Sequence, residues 1–348
     1  MKNRMHHAMQ LAEMLDGQTS PNPSVGCVIT KHGRIIGFGA HRFAGGPHAE
    51  VEALQMAGEA ARGAELYVTL EPCNHHGKTP PCTEAIIAAG IKRVFVATED
   101  RHAIVAGQGI ARLRDAGLTV EVGLLQDEAV RFYTPFWQSI ERKRPAVTVK
   151  IAQTLNGIIT TGEKRWITSE AARTAGRRLR ATHDAILVGS ETVLIDDPAL
   201  TLRSEEGIEP IRVLVDRRGR LSETFQVLHD GLNPTYWLTE QPRISSKPNV
   251  TVLVGTYSTP DQILETLYEQ GIRSLLIEGG PTIQSAFLAA DLVDRIDVYQ
   301  APSVLKGTGG LTGTVEVEDR FALTDVEPIG QDIHLRYERK GEWTCSQD

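Results

Sequence analysis

The sequence predicts an α/β chain of two domains, on three observations. Short apolar runs rich in β-branched residues alternate with amphipathic stretches through residues 25–122, and the alternation restarts at 147. The charge cluster Glu141-Arg142-Lys143-Arg144-Pro145 interrupts it and reads as a linker. At 348 residues the chain also exceeds a usual single domain. Together these place a first domain at 1–143 and a second at 144–348.

Residues 5–15 carry the spacing of a short amphipathic helix. Ser20-Pro21-Asn22-Pro23 breaks it, because two prolines fix φ and remove amide donors. Val25–Thr30 and Arg34–Ala40 read as strands joined at Lys31-His32-Gly33, a hairpin-type turn. A helix over 48–57 presents Val51, Leu54 and Ala57 as its apolar face, strand Glu65–Leu70 follows, and Cys82 opens another helix with Thr83 and Glu84 in its first turn. Strand 92–97, helix 107–116 and strand 118–122 complete the first half. In the second half, strand Val147–Ile151 runs into the turn Leu155-Asn156-Gly157. Thr168 or Ser169 then caps a helix bearing Arg173, Arg177 and Arg180. Strands Ala185–Val188, Ile211–Val215 and Ser274–Ile277 follow, the last feeding Glu278-Gly279-Gly280-Pro281-Thr282 and a helix.

Composition excludes several classes of function. Hydrophobic residues at 41% and charged residues at 23% are those of a globular protein. A net charge of −7 argues against a nucleic-acid or acidic-membrane binder. No signal-like leader and no apolar run of membrane-spanning length is evident. Cys27 lies in an apolar strand and Cys345 in the tail, so four cysteines suggest no disulfide framework. A cytoplasmic location is expected.

The chemistry concentrates in Gly46-Pro47-His48-Ala49-Glu50 and in Glu71-Pro72-Cys73 running on to Pro80-Pro81-Cys82. A catalytic Zn²⁺ site takes three protein ligands and keeps one position open. His48, Cys73 and Cys82 form such a set, one Zn²⁺ per chain, and Glu50 stays off the metal as the catalytic acid/base. Two thiolates and a neutral imidazole leave the ion able to lower the pKa of water toward about 7. His-x-Glu followed by Pro-Cys-x-x-Cys is the signature of zinc deaminases of nucleobases. Here eight residues, Asn74–Pro81, separate the cysteines instead of two. A closed structural site with His75 or His76 as fourth ligand is the alternative, but it has no use for Glu50.

Three blocks carry a specific resemblance: Pro21-Asn22-Pro23 through Val28, Pro47-His48-Ala49-Glu50, and Thr69 through Cys82 with its long insert. Across essentially its whole length the chain resembles the bifunctional deaminase/reductases of riboflavin biosynthesis. The resemblance implies a cytidine-deaminase-like three-layer domain followed by a dihydrofolate-reductase-like domain that uses NADPH. It implies that the first half removes the 2-amino group of a phosphorylated ribosylaminopyrimidine, contacted by Asn22, His41, His75 and Lys78. The second half would then reduce the ribosyl group to ribityl. Matched by position, Ala152, Trp166, Thr192, Asp196, Gly280, Pro281 and Thr282 fall where the family touches its cofactor. Lys164, Arg180, Leu200, Arg203 and Glu278 fall where it touches the reductase substrate. A homodimer or larger homo-oligomer is implied as well.

The strand-to-glycine turn at Glu278–Thr282 is by itself a weak anion site, and no Gly-x-Gly-x-x-Gly occurs. Several positions depart from the family: Asn74 for Ser, Asp100-Arg101-His102-Ala103 for Asp-Pro-Asn-Pro, Tyr133 for Asn, Asn156 for Asp, Lys164 for Ser, Arg217 for Ser and Ser303 for Lys. Lys164 and Arg217 add charge where anionic ligands are expected. Two other readings stay open: a deaminase of another nucleobase carrying a degenerate reductase-like module, and a non-catalytic zinc-stabilised binding protein.

Overall fold

The structure is a computed structural model and describes residues 1–75, 80–101, 106–159, 166–203, 207–306, 310 and 317–341. Two compact units emerge, one over Met1–Glu141 and one beginning at Arg142. Among the described residues no helix is long and apolar enough to cross a membrane.

The first unit runs α1 (Lys2–Glu13), β1 (Gly26–Lys31), β2 (Arg34–Ala40), α2 (Ala49–Ala57), β3 (Glu65–Leu70), α3 (Cys82–Ala88), β4 (Arg93–Thr98), α4 (Gln108–Asp115), β5 (Thr119–Val122) and α5 (Gln126–Arg142). Its sheet has the order β2-β1-β3-β4-β5. β1 pairs antiparallel with β2 and β3, whereas β3, β4 and β5 are parallel. Side-chain alternation sends Ile29, Leu66, Val68 and Val94 to a core shared with α2, α3 and α4. Val28, Tyr67 and Phe95 go to a second core shared with α1 and α5. Both faces are therefore covered, which is why these strands read as unbroken apolar runs and not as alternation. The result is three layers, helix on sheet on helix.

α1 begins at Lys2, one turn ahead of the expected start. Its buried stripe is Met5, Ala8, Met9 and Ala12, and the Met5 amide needs the Met1 carbonyl 3.3 Å away as acceptor. The helix lies so close to β1 that a Cβ on Gly26 would collide with the Ala8 carbonyl. Gly26→Ala is accordingly expected to destabilise this unit by about 1–3 kcal/mol, as overpacking does. Urea unfolding of the variant measures it, and a midpoint at or above that of the parent would contradict the close approach.

The second unit runs β6 (Ala146–Thr154), α6 (Glu170–Ala181), β7 (Ala185–Gly189), α7 (Ser190–Asp196), β8 (Ile211–Val215), α8 (Gln226–His229), β9 (Thr235–Thr239), β10 (Val250–Val254), α9 (Pro260–Glu269), β11 (Ser274–Ile277), α10 (Pro281–Ala289), β12 (Arg295–Ala301), α11 (Val317–Arg320), β13 (Phe321–Ile329) and β14 (Asp332–Arg339). The nine-stranded sheet has the order β10-β9-β8-β7-β11-β6-β12-β14-β13. It is parallel from β10 to β12, and β14 and β13 close it antiparallel. α9 and α10 bury Ile263, Leu267, Phe287 and Leu288 in the core on one face, and α6 buries Ala172 and Leu179 against Leu276 and Tyr299. β6 extends past its expected end because β12 pairs with it as far as Ala301↔Thr154. Since β6, β7, β8 and β11 are parallel neighbours, their carboxyl ends share one edge, the usual ligand edge of an open α/β sheet.

Candidate active sites

In the first unit three elements converge on one point. His48 is the N-cap residue of α2, with Glu50 in the first turn. Cys82 is the first residue of α3, and Cys73 follows the end of β3. The three ligand atoms lie within 4.8 Å of one another. His48 Nδ1 is 3.2 Å from Cys82 Sγ and 3.5 Å from Cys73 Sγ, and the Cys82 amide points at Cys73 Sγ at 3.4 Å. Separations of this size match the edges of a tetrahedron around an ion bonded at about 2.0–2.3 Å, so the set fits zinc.

The electrostatics suit the same ion. Hydrogen bonding from Cys82 holds the Cys73 thiol well below its ordinary value against its burial, with His48 assisting. The same bond, reinforced by burial, holds Cys82 up. The two sulfurs thus share one proton, which a divalent cation would displace. Burial pushes the Glu50 carboxyl up to about 7, and the Cys73 thiolate adds to this while His48 opposes it. Glu50 is only 3% exposed.

A cleft of about 470 Å³ opens over this centre. Asn22, His41 and His75, three of the four substrate residues expected from the sequence, line it together with His48, Glu50 and Cys73. His41 is fixed at both nitrogens: Nδ1 donates to the Pro47 carbonyl at 3.0 Å, which leaves Nε2 to accept from the Asn22 amide at 3.2 Å. Lys78 and His76 lie outside the described residues. Two departures from the family pattern have visible partners. Asn74 Oδ1 accepts from the buried Thr83 hydroxyl at 2.9 Å, linking the two cysteine-bearing segments. Tyr133 donates to the Ser24 carbonyl and meets Thr69 Oγ1 at 2.6 Å.

In the second unit the shared strand edge gathers most of the expected residues. Thr192 Oγ1 in α7 accepts from the Gly280 amide at 3.1 Å, bringing the first turn of α7 to the N-cap of α10, where Pro281 and Thr282 follow. Ala152 sits near the end of β6, Asp196 at the end of α7, and Trp166 is exposed with the Arg173 guanidinium 5.0 Å over its ring. Glu278, one residue past β11, takes both Nε and Nη2 of Arg180 at 2.8 and 3.0 Å. The third Arg180 nitrogen, Nη1, bonds the Thr201 carbonyl, which fastens the loop carrying buried Leu200 and exposed Arg203. Lys164 lies outside the described residues. The added charge of Arg217 is met by Glu240 at 3.0 Å. Asn156 accepts from Thr154 Oγ1 and donates to the Leu305 carbonyl, a double role that an aspartate in that turn lacks.

Residues 1–98 match the cytidine and deoxycytidylate deaminase zinc-binding region, and residues 145–335 match the RibD C-terminal domain. The riboflavin biosynthesis protein RibD of Bacillus amyloliquefaciens is 42% identical over 349 residues, covering 95% of this chain and 94% of its own. That of Escherichia coli K12 is 39% identical over 360 residues, covering 95% and 97%. The chain belongs to the RibD family. The fold agrees: the diaminohydroxyphosphoribosylaminopyrimidine deaminase/5-amino-6-(5-phosphoribosylamino)uracil reductase of Thermotoga maritima superposes with a TM-score of 0.90 at 37% identity, over 97% of this chain and 98% of that one. As a RibD protein it is a bifunctional deaminase/reductase of riboflavin biosynthesis, with a cytidine-deaminase-like domain ahead of a dihydrofolate-reductase-like one.

Two residues of this RibD chain escaped sequence reasoning. Lys150, in mid-strand β6, places Nζ 3.7 Å from Glu278. A lysine inside the run Val147–Ile151 was the available signal. Glu71 lines the deaminase cleft although it is only 4% exposed, and its signal was a carboxylate directly ahead of Pro-Cys. The Glu278 cluster also has a pH consequence. Burial alone would raise the carboxyl, yet Arg180 and Lys150 overcome it and hold it near 2, below its ordinary 4.5. A depressed carboxyl contributes stability that is full above about 4.5 and lost as pH falls through about 2, here roughly 3 kcal/mol. Acid unfolding of parent and Glu278→Gln should converge in that window, and a constant difference down to pH 2 would refute the assignment.

Proposed function

We propose that residues 1–143 hydrolyse the 2-amino group of 2,5-diamino-6-(5-phosphoribosylamino)pyrimidin-4-one with one zinc ion per chain, and that residues 144–348 then reduce the ribosyl group to ribityl with NADPH. The observation that carries this reading is the convergence of His48, Cys73 and Cys82 beside a buried, unliganded Glu50 in a cleft of substrate size. His48, Cys73 and Cys82 hold the ion, which when bound lowers the pKa of water at the site. Glu50, poised near neutrality, accepts one proton of the water and delivers it to the ring nitrogen; it then takes the second from the added hydroxyl and passes it to the departing amino group, which leaves as ammonia while the ring carbonyl forms. Asn22 and His41, already bonded to each other, present a polar edge for the pyrimidine, and His75 and Lys78 serve its ribose phosphate.

In the second half Gly280, Pro281, Thr282, Thr192, Ala152, Asp196 and Trp166 bind the nicotinamide cofactor, which supplies the hydride. Arg180, Leu200, Arg203, Glu278 and Lys164 hold the pyrimidine product of the first step. The enzyme works in the cytoplasm as a homodimer or larger homo-oligomer, without nucleic acid or membrane.

The test follows ammonia release and NADPH oxidation separately in one reaction of zinc-loaded protein with the diaminopyrimidinone. Both should appear, with NADPH oxidation lagging. Ammonia without NADPH loss, even when the deaminated product is supplied, would remove the reductase assignment.

A further inference from the structure

Glu71 is buried, sits two residues before Cys73, and makes no approach to the three ligand atoms; its carboxylate instead collects backbone amides. Oε1 accepts from Gly109 at 2.8 Å and Ile110 at 3.2 Å, and Oε2 from Gly107 at 2.9 Å and Asp100 at 3.2 Å. Three of these donors are the N-cap and first-turn amides of α4, where a carboxylate also meets the positive end of the helix. The fourth belongs to Asp100, itself a cleft residue, whose Oδ1 accepts from Trp137 Nε1 at 3.0 Å. Trp137 lies on α5 next to Phe136, which lines the same cleft. One side chain therefore ties the strand end that leads to Cys73, the start of α4, the Asp100 rim and, through it, α5. The fit is tight: a Cβ on Gly109 would run into the Pro72 carbonyl and press on Glu71 Oε1.

We propose that Glu71 is a positioning residue of the deaminase cleft, holding Asp100 and the start of α4 against the cysteine-bearing strand end and so setting affinity for the pyrimidine. The proposal rests on the deaminase reading above. Glu50, His48 and Cys82 stand on α2 and α3, outside these hydrogen bonds. Cys73, two residues past Glu71, is held to the start of α3 by its own contacts, the Cys82 amide on its Sγ at 3.4 Å and the Thr83 amide on its carbonyl at 3.3 Å, so the ligand set has an anchor that does not pass through Glu71. In Glu71→Gln one oxygen becomes an NH₂ group facing two backbone donors, and that pair of bonds is lost.

The experiment compares metal-loaded parent, Glu71→Gln, Glu71→Asp and Gly109→Ala. In Glu71→Gln the KM for ammonia release should rise about tenfold or more with kcat within about threefold. Metal content, the cobalt-substituted absorption spectrum and NADPH-dependent reduction of the deaminated product should not change. Hydrogen exchange should quicken at Asp100, Gly107, Gly109 and Ile110 and stay slow in β1 and β3. Glu71→Asp should recover part of the KM, and Gly109→Ala, which disturbs the same contact from the other side, should reproduce the rise. Ammonia release by the parent with an unshifted KM in Glu71→Gln overturns the positioning role alone. Loss of metal, or a parallel fall in both activities, overturns it in favour of general stability. No ammonia release by the parent defeats the deaminase reading and this role with it.

Discussion

Glu50→Gln is expected to lower the rate of ammonia release by on the order of 10²–10⁴-fold, the contribution of a positioned general acid/base. Glutamine keeps the volume and polarity of the side chain but takes no proton. The metal should remain, because the ligand set is His48, Cys73 and Cys82 and does not include Glu50. Atomic absorption should thus return one zinc per chain in both proteins, with turnover only in the parent. Reduction of the deaminated product, which depends on residues beyond 144, should be untouched. A variant retaining most of its hydrolytic rate would show that another group moves the protons, and within the cleft His41 and His75 would be the next to examine. Cys82→Ser is the complementary control, since it removes a ligand and should release the ion.

Arg180→Met is expected to destabilise the second unit by about 3–5 kcal/mol, because it strands a buried carboxylate. The Glu278 side chain is only 9% exposed, and Arg180 supplies two of its hydrogen bonds while fastening Thr201 with its remaining terminal nitrogen. Lys150 at 3.7 Å is too distant to take over both bonds. The double variant Arg180→Met, Glu278→Gln should regain much of the loss, since the penalty comes from the orphaned charge and not from the absent guanidinium. Urea unfolding gives the energies, and NADPH oxidation on the deaminated product should fail in both variants. Full additivity of the two substitutions would mean that the pair is not coupled and that this geometry has no energetic weight.

Legibility in the sequence followed the range of the interactions involved. His48, Glu50, Cys73 and Cys82 were readable because two short segments carry the whole ligand set and the chemistry constrains the residue types. The first sheet was readable too, as its central strands β1, β3 and β4 are buried on both faces and each strand sits near its partner in the chain. Much of the second sheet was not. β13 and β14 leave Leu323, Val326 and Ile333 about half exposed, so their pattern gives no clean burial signal. β9 and β10 find their place only through partners in the folded sheet. The pairing of Arg180 with Glu278, 98 positions apart, is likewise a product of tertiary folding. Glu71 was passed over for a different reason: its partners are backbone amides, and a backbone donor has no letter in a sequence.

The register of β6 bears on how the protein is made. Every strand of the first sheet, and α5 behind it, has emerged once residue 142 leaves the ribosome. β6 comes next, yet it pairs with β11 from Ala146↔Ser274 and with β12 from Arg295↔Thr148. Its apolar run Val147–Ile151 must therefore wait, uncovered, for roughly ten seconds of translation before either neighbour exists. The nascent chain then carries every element of the first unit attached to an unpaired strand that invites chaperones or aggregation. On the proposed division of labour, a message ending before β12 is expected to yield ammonia release without NADPH oxidation.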